Sequence, residues 1–344
     1  MKFQKERLCG LEGCYAVSVM NVKGADWYLA ASEAAKPCLA FRADAPRSYR
    51  TVWDQPGGCM TMVPLPGGQG EFLAIQRFFR LYQWEEAEVV WVWPGEDGGF
   101  RSKTLVRVPY IHRIDVLPAG DRLYFVGCSL ARRKDALEDW RFGGAVYAAE
   151  VDLEGRKLGR LSILRDDLVQ NHGYCRLNGP EGPSGLIGCR QGVFQLRPPE
   201  GGRGWTLERL LDRPASDMAL ADLDGDGVPE LAVIEPFHGD AFRVYRREGT
   251  GWRQVYEHPE RTEFYHVAWG GRLWGREAFL GGCRRGRRQL FLLTGDGRGG
   301  IRSEVLDEGV GPSSVAVCRR PEGDVVLSAN REAGEAALYR LAEG

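Results

Sequence analysis

The chain has 344 residues, with 46 Lys and Arg against 47 Asp and Glu and a formal net charge of −1. So even a balance gives no global field for nucleic acid or an anionic membrane, and no apolar run is long enough to span a bilayer. The opening MKFQKERLCGLEG has neither an apolar core nor a small-residue cleavage site, and the nine cysteines are odd in number with no C-x-x-C pair; both predict a cytoplasmic protein with reduced thiols.

Short β-rich runs between Gly, Pro and Asp take the place of any sustained helical period. In chain order, FQKERLCGLEG comes first and a recurring unit follows. The unit opens at Cys14 (CYAVSVM), Cys59 (CMTMVPL), His112 (HRIDVLP), His172 (HGYCRLN), Asp217 (DMALADL), His266 (HVAWGGR) and Ser314 (SVAVCRR). The pitch is roughly 45 to 60 residues. Each opening is followed by a second apolar segment: YLAAS, FLAIQ, YFVGC, GLIGC, LAVIE, FLGGC and VVLSA. A third strand comes next in every unit, from CLAFRA to ALYRL, and a fourth in the first six, from YRTVW to RSEVL.

Four strands per unit and seven units predict an all-β chain, a single seven-bladed β-propeller over residues 1–344. The seventh unit has no fourth strand of its own before Gly344. Residues 3–8 are expected to supply it by pairing with residues near 337–341, which closes the ring and removes a free edge.

In the fifth unit the turn after the first strand reads ADLDGDGVPEL, with acids at Asp222, Asp224, Asp226 and Glu230. Carboxylates at this spacing, with a backbone carbonyl at Val228, suit a hard cation that takes six or more oxygens. An EF-hand would need a further acid where Val233 stands. The stretch resembles the calcium loops of FG-GAP/VCBS-type propeller repeats over residues 216–245. That resemblance implies a structural Ca2+ held by Asp222, Asp224, Asp226, Glu230 and the Val228 carbonyl, with Glu230 where the family usually has Asp. The corresponding turns LPAGDR, LNGPEGPSG, GGRLWG and CRRPEGD lack the acids.

Propeller geometry brings the start of each first strand and the end of each second strand to the upper rim of the central channel. His112, His172 and His266 stand at first-strand starts, and His238 follows the second strand of unit five. Neutral imidazoles from several blades make a good divalent transition-metal site, Zn2+ or Mn2+, with His172, His238 and His266 as ligands. Tyr265, Arg190 and Arg284 reach the same rim as further catalytic candidates. Arg77, Asp240, Asn330 and Glu332, with Trp84 and Trp140 on the long loops 76–88 and 129–144, are expected to contact substrate, since aromatic faces stack on sugars and Arg forks carboxylates.

Blade count and axial histidines are similar to those of propeller polysaccharide lyases and an aldosulose dehydratase. The reading is a carbohydrate-active enzyme, a metal-assisted lyase, dehydratase or isomerase acting on a sugar or uronate, with a small-molecule or oligosaccharide substrate. The alternative is a non-catalytic propeller that binds a glycan or a protein on the same face. Aromatics repeated at equivalent positions would mark that alternative, and here they are unequal between blades. No G-x-S-x-G, P-loop or Rossmann fingerprint occurs; no nucleic-acid or membrane partner is expected, and the oligomeric state stays open.

Overall fold

The computed structural model describes residues 2–79, 84–179 and 182–342. Seven antiparallel sheets follow one another around a ring, each with at least four strands. The innermost strands, in order, are Cys14–Val22, Met62–Pro64, Ile111–Ala119, Gly173–Gly179, Met218–Ala221, Tyr265–Leu273 and Pro312–Cys318. Each pairs with the strand that follows it, and so on outward, which is the meander expected from four short runs joined by tight turns. Among the described residues no helix is long and apolar enough to cross a membrane.

The ring closes as the sequence predicts. Phe3–Gly10 pairs antiparallel with Glu335–Leu341, with Phe3 opposite Leu341 and Arg7 opposite Ala337. The strand runs two residues past the expected end, through a bulge between Arg7 and Cys9. Lys5 reaches Asp307 at 2.8 Å and Glu335 at 2.7 Å, and Phe3 packs on Trp274 with ring centroids 5.3 Å apart.

Blade two opens at Met62, not Cys59. The Cys59 amide donates to the Ser32 carbonyl at 2.9 Å, so this segment is tied to blade one before its own sheet begins. Blade three is long because a short strand, Lys157–Leu158, precedes its outer strand Ser162–Leu168. All nine cysteines are free.

The core lies between adjacent blades, where second and third strands present unbroken apolar runs such as Phe72–Gln76 and Leu290–Gly295. Between blades five and six, Ile234, Phe242, Phe279 and Phe291 are fully buried, each contributing about 1.5–3 kcal/mol. A Cβ on Gly281 would come within 2.2 Å of the Phe291 ring. Only glycine there lets the aromatic lie flat against the sheet.

Candidate functional site

One device repeats around the ring and builds the site. In blades one, three, six and seven the inner pairing skips a residue: Tyr15, His112, His266 and Ser313 fall between Cys14 and Ala16, Ile111 and Arg113, Tyr265 and Val267, Pro312 and Ser314. A bulge of this kind re-aims the extra side chain. In blades two, four and five the corresponding places lie ahead of the strand: Met60 stands two residues before Met62, and His172 and Asp217 stand immediately before theirs. Seven slots thus ring the axis. Tyr15, Met60, His112, His172 and His266 line a cavity of about 450 Å3. Met60, Asp217, His266 and Ser313 border a second chamber of about 340 Å3 lined also by Arg113, Arg176 and Trp269.

The imidazoles are oriented by specific partners. Nδ1 of His172 lies 2.8 Å from a carboxylate oxygen of Asp217 and 3.2 Å from the Ser216 hydroxyl. Nδ1 of His266 donates to the Ser313 carbonyl at 2.7 Å. Both rings therefore carry hydrogen on Nδ1 and turn a bare Nε2 to the cavity. Nε2 of His172 stands 3.0 Å from Nε2 of His238, and Nε2 of His266 stands 3.0 Å from the Tyr15 hydroxyl. That hydroxyl is also 3.4 Å from Nε2 of His112, whose buried Nδ1 has no hydrogen-bond partner among the described residues. His238 comes from the loop after the second strand of blade five, at φ 47°, and is sandwiched between Phe237 and Phe264 with centroids 4.0 and 4.2 Å away.

Ring nitrogens of His172, His238 and His266 all lie within 4.8 Å of one another. Three imidazoles, two of them anchored through Nδ1, match the donor set of a divalent transition metal with an open coordination position. The residues present therefore fit such an ion.

Burial pushes the pKa of His112, His172 and His266 well below the usual 6.5, and the neighbouring Arg113, His238, His172 and Arg284 add to the effect. These rings are neutral near pH 7, the form that binds a metal. The sign of the linkage follows. The unfolded chain takes up protons below about pH 6.5 and the folded chain resists, so stability is full above that pH and falls on acidification. The slope is up to about 1.4 kcal/mol per pH unit for each imidazole. The thermal midpoint, followed by calorimetry, should be flat above about pH 7 and fall below about pH 6, and His112→Gln should make the fall shallower; an unchanged slope would remove His112 from this account.

The rest of the cavity wall is aromatic and charged: Phe78, Trp84, Trp140, Phe237, Phe264, with Glu33, Lys134, Glu138 and Arg284. The Lys134 ammonium sits 3.4 Å from the Trp140 centroid and 5.5 Å from that of Trp84. Arg284 lies over Phe264 and pairs with Glu332 at 2.8 Å; Arg331 joins Glu332 to Glu33. This network positions Arg284, whose burial lowers its pKa.

The predicted rim residues divide. His112, His172, His238, His266, Arg284, Trp84 and Trp140 line the cavity together. Tyr265 does not. It precedes a bulged residue, so strand alternation sends it the other way, into the core between blades five and six, where its hydroxyl is 2.9 Å from Nδ1 of His258 and donates to the Glu260 carbonyl. Arg77 is turned aside at φ 60° and pairs with Glu88 at 2.9 Å. Asn330 is buried, donating to the Tyr339 hydroxyl at 2.9 Å and to Glu335 at 3.0 Å. Glu332 contributes only through Arg284. Arg190 and Asp240 are exposed and outside the wall. Residues 80–83 of the first long loop lie outside the described residues. Tyr15, Phe78, Phe237 and Phe264 are wall residues that the sequence reading missed; Tyr15 alone carried a signal, one place after the start of unit one.

On the opposite turn of blade five, Asp222, Asp224 and Asp226 offer carboxylate oxygens within 4.8 Å of one another. Glu230 departs from the expected ligand set: it is fully buried, with one oxygen accepting the Leu223 amide at 2.8 Å and the other accepting from Arg246 at 2.8 Å. Val228 is half-exposed at the tip.

Residues 215–245 match the family model described as FG-GAP repeat. A search of curated proteins finds no match. Among solved structures, virginiamycin B lyase from Staphylococcus aureus is similar over 99% of this chain and 100% of that one, at 12% identity and a TM-score of 0.63. A catalytically inactive histidine-to-alanine variant of that lyase with quinupristin gives 13% identity and a TM-score of 0.61, covering 99% of each chain. The Dos1 propeller gives 7% identity and a TM-score of 0.59 over 100% of this chain and 95% of that one. At these identities the likeness is one of fold.

Proposed function

We propose that the axial cavity is the active site of a metal-assisted lyase that removes a proton α to a carboxylate or ester carbonyl and expels a β-oxygen. The convergence of three imidazoles beside the His112–Tyr15 imidazole–phenol pair carries this reading. A divalent ion held by His172, His238 and His266 would polarise the carbonyl. His112 accepts the α-proton. The C–H pair becomes the new C=C bond, the C–O bond breaks, and the departing oxygen takes the Tyr15 proton. Burial raises the Tyr15 pKa, so the hydroxyl holds its proton until it is needed. At 3.4 Å from His112, the phenol recovers that proton directly, and the balance needs no other reactant.

The aromatic wall with Arg284 and Lys134 suits a ring-bearing, acidic substrate, and a sugar uronate is the first choice. The lyase names of the structural neighbours, one of them held with quinupristin, favour a lyase reading on another substrate. Uronate oligosaccharides and quinupristin incubated with zinc- or manganese-loaded protein should test both, read as ultraviolet absorbance of the new double bond or by mass. Tyr15→Phe and His112→Gln should each lower turnover by roughly 10²–10⁴-fold with little change in metal uptake. Tight binding of either compound with no turnover would support the non-catalytic alternative and end the lyase reading. The cytoplasmic setting expected from the cysteines belongs to this proposal.

A further inference from the structure

The acidic turn of blade five is tied together by its own hydrogen bonds and by one arginine. Both oxygens of Asp222 accept loop amides, from Gly225 and Gly227 at 2.9 Å each. Asp224 accepts the Asp226 amide at 3.2 Å, and Asp226 accepts that of Val228 at 2.7 Å. These are Asx turns, which fold the loop locally. The long-range tie is different. Arg246, on the third strand Ala241–Glu248, reaches across the sheet and places Nη2 2.8 Å from Asp224 and 2.8 Å from Glu230. Glu230 is one methylene longer than the Asp expected there, so its carboxylate passes the loop centre and meets the Leu223 amide and the guanidinium instead.

We propose that the Arg246 guanidinium holds this turn shut in place of calcium, and that the blade is built to be independent of that ion. A guanidinium offers several donors in a fixed plane and stays charged at every physiological pH. It gathers Asp224 and Glu230, which open apart without a cation. The consequence reaches the axis. The turn fastens the four-residue strand Met218–Ala221, and the residue just before that strand is Asp217, the carboxylate that orients His172. A calcium-independent clasp keeps Asp217 in place where free calcium is scarce.

The test uses full-length protein stripped of metal and carrying His266→Ala, so that the axial imidazoles do not answer for the turn. Adding millimolar CaCl2 should shift the thermal midpoint by less than about 1 °C, and calorimetric titration should show no micromolar site. Arg246→Gln should lower the midpoint in chelator and make it respond to calcium, by about 3 °C or more at saturation. Arg246→Lys, which keeps a charge but loses the fork, should fall between the two, and it serves if the glutamine variant does not fold. A clear calcium shift or a micromolar site in the protein with Arg246 intact overturns the proposal. So does an Arg246→Gln protein as stable in chelator as its parent.

Discussion

Titrated with Zn2+, the protein should take up one equivalent, and alanine at His172, His238 or His266 should weaken that uptake by roughly 100-fold or more. The reason lies in the pair of Nε2 atoms 3.0 Å apart. Asp217 fixes the His172 hydrogen on Nδ1, so its Nε2 presents a lone pair. Without an ion, His238 must donate to it from Nε2. A divalent ion would relieve that constraint, because both Nε2 atoms could then serve as its ligands. Asp217→Asn leaves all three imidazoles in place but loosens one of them, and should cost roughly 10–100-fold in affinity. His258→Ala, on the ring packed against Phe291 in the core, should leave zinc affinity alone while lowering stability. Calorimetry and metal analysis of the purified variants decide the matter. Uptake by the alanine variants equal to that of the parent would remove the axial ion from the account.

Deleting residues 1–10 should lower the thermal midpoint by roughly 10 °C and turn the protein toward aggregation. The deletion strips the outer partner from Glu335–Leu341 and bares its backbone groups. It leaves the Asp307 and Glu335 carboxylates without Lys5, and Trp274 without Phe3. Leu8 and Cys9 also leave the cluster they share with Leu338 and Ala336. Unlike a surface truncation, this one opens the ring at its seam, so the loss reaches both blades at the joint. Calorimetry and light scattering on the truncated chain check it; an unaltered midpoint would mean that the seam is not the weak point of the torus.

The ring was legible because its signal is long-range and redundant: seven openings of similar composition, and a spare strand at the N-terminus where the last unit lacks one. The histidine cluster was legible for the same reason, since His112, His172 and His266 occupy one register. Finer aim was not. A shift of one residue separates Tyr15 from Cys14, and alternation along a strand puts Tyr265 in the core while its neighbour His266 faces the cavity. No composition rule marks a bulge. The fate of Arg77, Glu332 and Asn330 was hidden for another reason, because each is captured by a partner that only the folded chain brings near. Glu230 shows the limit of a motif. Its position agrees with the calcium pattern, yet one extra methylene and an arginine sixteen residues later redirect its carboxylate.

Because each axial side chain stands at a bulge or ahead of the first ladder pair, most of them take little part in holding their own blade together. Chemistry and architecture are therefore decoupled at most of the seven points. Imidazole, phenol, carboxylate, hydroxyl and thioether already occupy equivalent sockets in different blades, and the sheets behind them close alike. A torus assembled in this way is free to exchange one reactive group for another, blade by blade, and to acquire new reactions with its framework left standing.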